Sequence, residues 1–409
     1  MSADSSSPAA GDWSGLPAAA APARVALIGI SGYGSIYLQL VRELRERGAI
    51  KLVAAVIINP AEEAGNIREL QAGGCIIYSD YEEMLRRHGR EIDLCLIPTG
   101  IQWHARMTIA ALRAGTNVLI EKPLAGSLVD VNAIRAAERA SGRFVGVGFQ
   151  DVYTPGTRWL KQQLIEGVIG RVRSIRVLGL WPRPAAYYTR NNWTGRLQAG
   201  GVAVLDSPLN NAFGHFVNLA LYFSGAGASE VAVASDVEAD LFRAHAIESF
   251  DTAVVRACAG GVALWFGFTH CCRELVNPEI VIEGSSGSAV WSYEKICTVR
   301  PSGAPERSHP LPASIDTRRV MLAQVLRRLG DPAAAVCTTA MAEPHTALIE
   351  AVHASAAVRN FPSELIEWIT LSGATSPVPA VRGLEAAMKT AGQQRRLLRE
   401  IGFPGAGPV

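Results

Sequence analysis

The sequence has no surplus of charge of either sign: 39 Lys and Arg stand against 37 Asp and Glu over 409 residues, a net charge of +2. Without a basic field there is no electrostatic footprint for a phosphate backbone, so no nucleic-acid partner is expected. No apolar run reaches membrane-spanning length, so no membrane partner is expected either. Residues 1–22 are mostly Ala, Ser, Pro and Gly, and they lack the basic start and continuous apolar block of a signal peptide. They read as a disordered N-terminal tail, and a cytoplasmic location is expected. The seven cysteines are scattered and odd in number, Cys271 and Cys272 are adjacent, and no Cys-x-x-Cys pair occurs. That pattern disfavours a disulfide framework and a zinc site and favours reduced thiols, so no metal is expected. No internal repeat appears.

What is present is a series of short apolar strands alternating with helical stretches. A chain of this length holds two domains with ample core. A hydrophobic share of 49% with 39 glycines suits an α/β protein. Arg24-Val25-Ala26-Leu27-Ile28 reads as a strand, Gly29-Ile30-Ser31-Gly32-Tyr33-Gly34 as a turn, and the next stretch as a helix with Leu40, Val41 and Leu44 on one face. A strand, a glycine turn and a helix N-terminus make a phosphate cradle. The dinucleotide fingerprint Gly-x-Gly-x-x-Gly lacks its middle glycine here and reads Gly29-x-Ser31-x-x-Gly34. The second strand, residues 52–58, lacks the terminal acid that holds a ribose. Asn59 stands there instead, able to bond a ribose hydroxyl or to cap a helix opened by Pro60. No arginine follows at once, and Glu62 and Glu63 would repel a 2′-phosphate. The implied cofactor is NAD(P), with a lean to NAD over NADP.

Ser79-x-x-Glu82 predicts a helix start. Residues 92–97 predict a strand running into Pro98-Thr99-Gly100. His104 opens the next helix as a core histidine, a cap or a ligand contact beside two strand ends. Residues 117–120 form a strand that runs into Glu121-Lys122-Pro123-Leu124. Ligands collect at the carboxyl ends of parallel strands, so an acid and an amine are delivered to the place of chemistry. Pro123 restricts Lys122, and a Lys–Pro bond has access to the cis form. Ser127-x-x-Asp130 caps a further helix, and a last strand over residues 144–149 delivers Gln150. This alternation predicts a parallel, doubly wound Rossmann domain over residues 23–149.

Residues 150–409 are expected to form a second, α/β domain for substrate binding and oligomerisation, with an open, mainly antiparallel sheet. A hairpin is expected at Gly260-Gly261, with edge strands over residues 280–283 and 289–291 and a linker over residues 371–379. Trp181, Arg183, Tyr187, Arg190 and Trp193 crowd into thirteen residues. Arginine forks grip carboxylates or vicinal hydroxyls, and aromatic faces stack on sugar rings. The alternative is an aromatic loop packed on its own domain. Asp206 ends a strand just before an apolar helix over residues 213–223. Asn211 and His215, four apart, are expected on one face of it. Histidine titrates near neutrality, which suits an acid/base, although a buried, inert histidine fits the same pattern.

The glycine turn, Pro98-Thr99 with His104, and Glu121-Lys122-Pro123-Leu124 resemble the glucose–fructose oxidoreductase and inositol dehydrogenase (Gfo/Idh/MocA) family over the first half of the chain. The resemblance implies hydride transfer between a nicotinamide and a carbinol carbon of a sugar, polyol or sugar acid. It places Lys122 beside the nicotinamide, where Gly29, Ser31, Gly34, Asn59, Thr99, His104 and Glu121 complete the cofactor site. It also aligns His215 with the histidine of the family's Asp-x-x-x-His signature, with Asn211 in the aspartate's place and Asp206 as a second source of carboxylate. Lys122, His215 and Asn211 are then the catalytic set, and Gln150 joins Asp206 and the aromatic stretch at the substrate. A homodimer or homotetramer through the second-domain sheet is expected. Two other readings stay open: a sugar- or NAD-binding protein without turnover, and an NAD-assisted, glycosidase-like enzyme.

Overall fold

Strands that are buried on both faces must be apolar along their whole length, and the first six strands of the chain build the site's platform. In this computed structural model, which describes residues 13, 15, 16, 21–374 and 376–407, six strands form one parallel sheet. They are β1 (Ala23–Ile28), β2 (Ile50–Val56), β3 (Ile76–Tyr78), β4 (Leu94–Ile97), β5 (Asn117–Ile120) and β6 (Val145–Val147), in the order β3-β2-β1-β4-β5-β6. Helices α1 (Gly34–Glu46), α2 (Ala64–Ala72), α3 (Tyr81–His88), α4 (Ile101–Arg113) and α5 (Leu128–Ser141) lie between them. The order turns back between β1 and β4, so Gly29 and Thr99 flank the switch point and Lys122 lies one strand away. Ser127 caps α5 as expected, accepting from the Asp130 N–H. The α3 cap is Asp80 and not Ser79: its carboxylate accepts from the N–H groups of Glu82 and Glu83, satisfying two orphan donors where a hydroxyl could take one.

The second part runs through α6 (Pro155–Ile165), β7 (Val172–Leu180), α7 (Ala185–Thr189), the small pair β8 (Gln198–Ala199) and β9 (Val202–Ala203), and α8 (Gly214–Ser224). Then come β10 (Ala234–Arg243), β11 (Thr252–Ala259), β12 (Val262–Thr269), β13 (Val276–Gly284), β14 (Gly287–Ser292), β15 (Ile296–Pro301) and β16 (Arg307–Pro310). Last are α9 (Ser314–Gly330), α10 (Thr339–Ser355), β17 (Val358–Asn360), β18 (Ile366–Ile369), β19 (Val378–Val381) and α11 (Leu384–Gln394). Nine strands form a sheet in the order β16-β15-β14-β13-β7-β12-β11-β10-β17. It is antiparallel except where β7 meets β12 and β10 meets β17. The hairpin at Gly260-Gly261 is present, both glycines at positive φ.

Three expectations change. The strands taken as edges, β13 and β14, are interior because β15 and β16 continue the sheet. The stretch read as a linker ends in β19, which pairs with β18. The sheet is open as expected, running from β16 to β17, but one face of its central strands is covered. Leu180, Phe242, Val254 and Trp265 are covered by Leu384, Met388, Leu397, Leu398 and Phe403 from the chain's own C-terminal segment. The Trp265 Nε1–H donates to the Arg396 carbonyl at 3.0 Å. The apolar face expected to mediate self-association is thus filled from within. The tail expected over residues 1–22 lies mostly outside the described residues. Trp13 within it is buried, and its Nε1–H donates to Glu43 Oε2 at 3.0 Å.

A buried cation holds the end of α8. The Lys161 ammonium donates to the carbonyls of Tyr222 and Gly225, 2.5 Å each, satisfying acceptors that the helix terminus leaves open. Burial lowers its pKa to about 8. Lys161→Ala is expected to destabilise the protein by roughly 1.5–3 kcal/mol, the usual worth of hydrogen bonds to a charged group. The shift of the urea midpoint at unchanged m-value measures it; an unmoved midpoint would refute the capping role.

Candidate active site

The glycine turn sets the backbone for close approach. Gly29 has φ +89°, and a Cβ at Gly34 would stand 2.5 Å from the Gly29 carbonyl oxygen. No side chain caps α1 and no acid lies in its first turn. Its first N–H groups bond the turn's own carbonyls, Gly34 to Ser31 at 3.0 Å, Ser35 to Gly32 at 3.2 Å and Ile36 to Tyr33 at 3.1 Å, so what the helix start offers an anion is its dipole, not counter-charged by any acid. A dinucleotide pyrophosphate fits this cradle. Ser31, where the fingerprint has glycine, turns its hydroxyl away to donate to Glu63 Oε1 at 2.6 Å. Asn59 Nδ2 donates to Ser31 Oγ at 3.1 Å and to Glu62 Oε2 at 2.9 Å. The Ser31 bond, then that of Asn66, holds the Glu63 carboxyl below the usual range. The acid missing from the strand end is therefore supplied four residues later. Asn59 caps no helix, since α2 begins at Ala64.

At the end of β5 the Lys122–Pro123 peptide is cis. Glu121 is buried, accepts from the Tyr37 hydroxyl at 2.7 Å and from the Lys122 N–H at 3.0 Å, and its carboxyl is raised by burial. Gly148 makes room for it, since a Cβ there would come within 2.9 Å of Glu121 Oε1. The Lys122 ammonium donates to the Asn211 carbonyl at 2.7 Å and to Asn211 Oδ1 at 3.3 Å. Burial lowers its pKa to about 8, against the pull of Glu121 and Asp206. Asn211 lies in the turn before α8 and not on its face: the helix starts at Gly214, so the expected one-face pairing of Asn211 with His215 fails. The turn aims both the Asn211 carbonyl and its side chain at Lys122.

His104 has both ring nitrogens on backbone carbonyls. It is buried, with Nδ1 2.7 Å from the Pro123 carbonyl and Nε2 3.1 Å from the Thr99 carbonyl, and burial lowers its pKa to about 4. It ties two strand ends together in place of the expected cofactor contact. Thr99 packs beside the glycine turn, with its methyl 3.6 Å from the Cβ position of Gly29.

His215 has a buried Nδ1 without a hydrogen-bond partner among the described residues, 3.5 Å from Asp151 Oδ2. Burial, then the charges of Lys122 and Arg318, keeps the ring neutral. Burial raises the Asp151 carboxyl to about 7, opposed by Arg318. Sequence reading missed both of these residues. Asp151 directly follows the strand that delivers Gln150, which was a usable signal. Arg318 comes from α9, far along the chain, and donates from Nε and Nη2 to the Tyr33 hydroxyl of the glycine turn at 3.0 and 2.9 Å. Gln150 is buried with Oε1 unpartnered among the described residues.

The aromatic stretch divides. Trp181 stacks on Phe213 at 4.6 Å and donates to Asn277, and Trp193 packs on Ile101, Ala199 and Val204. These two tryptophans form packing and not an open sugar platform, because their faces are already covered. Tyr187 accepts at its hydroxyl from Asn211 Nδ2 at 3.4 Å, and the guanidinium groups of Arg183 and Arg190 lie 5.1 and 3.9 Å from its ring centre. Asp206 accepts from the Gly195 N–H at 2.6 Å, its Oδ1 has no hydrogen-bond partner among the described residues, and burial raises its pKa to about 6. Elsewhere, His245, Asp251 and Cys271 have ligand atoms within 4.8 Å of one another. Asp251 Oδ2 there already accepts from the backbone N–H groups of Ala244 and His245 and pairs with the His245 ring, and burial holds the Cys271 thiol well up.

Residues 23–149 match the model of a family described as oxidoreductases with an NAD-binding Rossmann fold. The chain is 28% identical over 189 residues to an inositol 2-dehydrogenase/D-chiro-inositol 3-dehydrogenase of Shouchella clausii, covering 46% of this chain and 54% of that protein. It thus spans about half the length of such a curated relative. An inositol dehydrogenase homologue complexed with NAD+ from Azotobacter vinelandii superposes with a TM-score of 0.69 at 17% identity, over 83% of this chain and 97% of that one. A super-repressor mutant of Gal80p from Saccharomyces cerevisiae superposes with a TM-score of 0.64 at 15% identity, over 82% and 96%. At such identities these structures share the fold, and that fold is the two-part α/β architecture described above.

The raised Asp151 pKa has a stability consequence. Its folded pKa, about 7, exceeds its ordinary value of 3.8, so the folded state holds the proton longer and stability falls as pH rises between the two. Asp151→Asn removes that cost. Its stabilisation is expected to be near zero at pH 3.5, to grow by about 1.4 kcal/mol per pH unit, and to level off above pH 7. Chemical denaturation of both proteins at four pH values measures it; a pH-independent difference would contradict the burial.

Proposed function

We propose that this chain, whose residues 23–149 match the Gfo/Idh/MocA family model, is an oxidoreductase of that family and transfers a hydride between NAD(P) and a carbinol carbon of a sugar, polyol or sugar acid. The observation that carries this is the meeting of Lys122 with Asn211, which brings the nicotinamide end of the first sheet against the second domain at His215. The glycine turn holds the pyrophosphate, Thr99 and Glu121 lie toward the nicotinamide, and the bound cofactor supplies the hydride acceptor. The Lys122 ammonium holds the substrate oxygen and stabilises the negative charge that develops on it. The neutral His215 ring takes the hydroxyl proton, and Asp151, 3.5 Å from Nδ1, balances the charge the ring then carries. Asn211 orients Lys122 and the substrate, and Asp206 orients the turn through Gly195.

Glu62 and Glu63 support NAD over NADP, since both carboxylates gather at Ser31 and Asn59 where a 2′-phosphate would arrive. The C-terminal segment confines any homodimer or homotetramer built on the second-domain sheet to its outer strands. A second reading, a sugar-binding regulator without turnover, is favoured by Asn211 standing where the family has a carboxylate.

NADH should quench or enhance fluorescence at concentrations at least about tenfold below NADPH, a difference of 1.4 kcal/mol; equal affinities would refute the role of Glu62 and Glu63. A screen of polyols, aldoses and sugar acids, followed by coenzyme absorbance, separates the enzyme from the regulator. On the substrate found, Lys122→Ala and His215→Ala should each lower turnover by roughly 10²–10⁴-fold, with coenzyme affinity little changed for His215→Ala. Asn211→Asp would set a carboxylate against the Lys122 ammonium, so activity is retained or raised and the limb of the pH profile near 8 moves upward. Wild-type turnover in His215→Ala would sink the assignment.

A further inference from the structure

We propose that Arg183 and Arg190 form an anion subsite, so that the substrate carries a carboxylate or phosphate as well as the carbinol presented to Lys122 and His215. This rests on the oxidoreductase reading and narrows its substrate class. The two arginines bracket α7. Arg183 follows directly from β7 and is pinned by its backbone: its N–H donates to the His270 carbonyl at 3.1 Å, and its carbonyl faces His245 Nε2 at 3.1 Å. Its guanidinium lies 5.6 Å from the Trp181 ring centre and 5.1 Å from that of Tyr187. The Arg190 guanidinium lies 3.9 Å from the Tyr187 centre and donates from Nε to Thr194 Oγ1 at 3.4 Å. One tyrosine ring therefore carries two cations, and its hydroxyl reaches Asn211, which holds Lys122.

Neither guanidinium meets a carboxylate within ion-pair distance among the described residues, and Arg183 Nε is buried without any partner. Arg183 is partly buried and Arg190 exposed; by contrast Arg319 is paired with Glu43 and Asp316, and Arg399 with Glu238 and Asp240. A stacked guanidinium keeps its plane fixed and its edge N–H groups free, which suits bidentate capture of a carboxylate or phosphate. The nearby Asp206 makes no ion pair with either guanidinium among the described residues; it accepts from the Gly195 N–H and feels the charges of both Arg190 and Lys122. Lys122 and Arg318 add further positive charge, set against Glu121, Asp151 and Asp206. Neutral polyols offer these cations hydroxyl acceptors but no opposite charge, whereas a uronate or a sugar phosphate offers a hydroxyl to Lys122 and an anion to the arginines one tyrosine ring away.

The test uses the full chain with NAD+ and compares glucuronate with glucose, galacturonate with galactose, and glucose 6-phosphate with glucose. The anionic member of a pair should have a kcat/KM about tenfold to a hundredfold higher, and the advantage should shrink with added salt. The carboxylate and phosphate arms decide which anion is used. Arg183→Gln with Arg190→Gln should abolish the preference, and Arg183→Lys, which keeps charge and loses the fork, should recover it only in part. Circular dichroism confirms that each variant is folded. Equal turnover of acid and neutral sugar, or a preference that survives the double variant, would overturn the subsite. Tryptophan quenching by glucuronate provides a readout without turnover. Quenching that depends on the two arginines in a protein that oxidises nothing would end the oxidoreductase reading and keep the subsite.

Discussion

An ammonium held in a half-buried cleft needs oxygen around it, and much of this molecule's centre follows from that need at Lys122. Removal from water destabilises the charged form, which is why the pKa falls to about 8. The compensation comes from both parts of the chain. Glu121 acts from the same strand end, Asp206 acts through space, and the Asn211 carbonyl and side chain bond it directly. The turn over residues 207–213, placed ahead of α8 and not within it, makes this possible, since a helical Asn211 would have its carbonyl turned along the helix axis. One hydrogen-bonded cation thus joins the parallel sheet of the first domain to the antiparallel sheet of the second.

The joint is braced at a distance. Glu43 on α1 accepts from Arg319 of α9 at 2.8 and 2.9 Å and from Trp13 at 3.0 Å, a bidentate pair with one partner nearly buried. One residue before, Arg318 bonds Tyr33 in the glycine turn and places its charge near Asp151 and His215. Adjacent arginines on one helix therefore do different work. Arg319 fixes the position of α9, and that fixed position sets where the Arg318 charge falls. His104 plays the matching part inside the first domain, holding the Thr99 and Pro123 carbonyls on one ring.

The first domain was legible because its signals are local. Each strand, turn and helix is a run of a few residues with its own period, and the delivery of Gly29, Thr99 and Lys122 to one sheet edge follows from chain order alone. The second domain was legible in type and less so in extent. Whether β13 is an edge depends on whether β15 and β16 continue the sheet. Whether the sheet's far face is open depends on a segment more than a hundred residues away. The same distinction divides the site residues. His215 and Lys122 were found by their neighbours in sequence, whereas Arg318 has no local mark that separates it from Arg319. The aromatic stretch was misread in part for a related reason. Composition announces that tryptophans are present, but Phe213 and Val204, which cover them, come from other turns of the chain.

Asn211 is the point at which local reading and tertiary structure pull hardest against each other. Read against the family pattern, an amide in place of a carboxylate leaves the imidazole without a charge to balance it. The structure places a carboxylate there by another route: Asp151, from the 3₁₀ turn after the last parallel strand, stands 3.5 Å from His215 Nδ1. The amide at Asn211 meets Lys122 without a charge of its own. It binds Lys122 through neutral oxygens, and the ammonium's pKa, lowered by burial, stays near 8. Moving the negative charge from Asn211 to Asp151 takes it away from the lysine and sets it beside the histidine. Both groups are held toward their neutral forms, Lys122 by burial and His215 by burial and the nearby charges of Lys122 and Arg318.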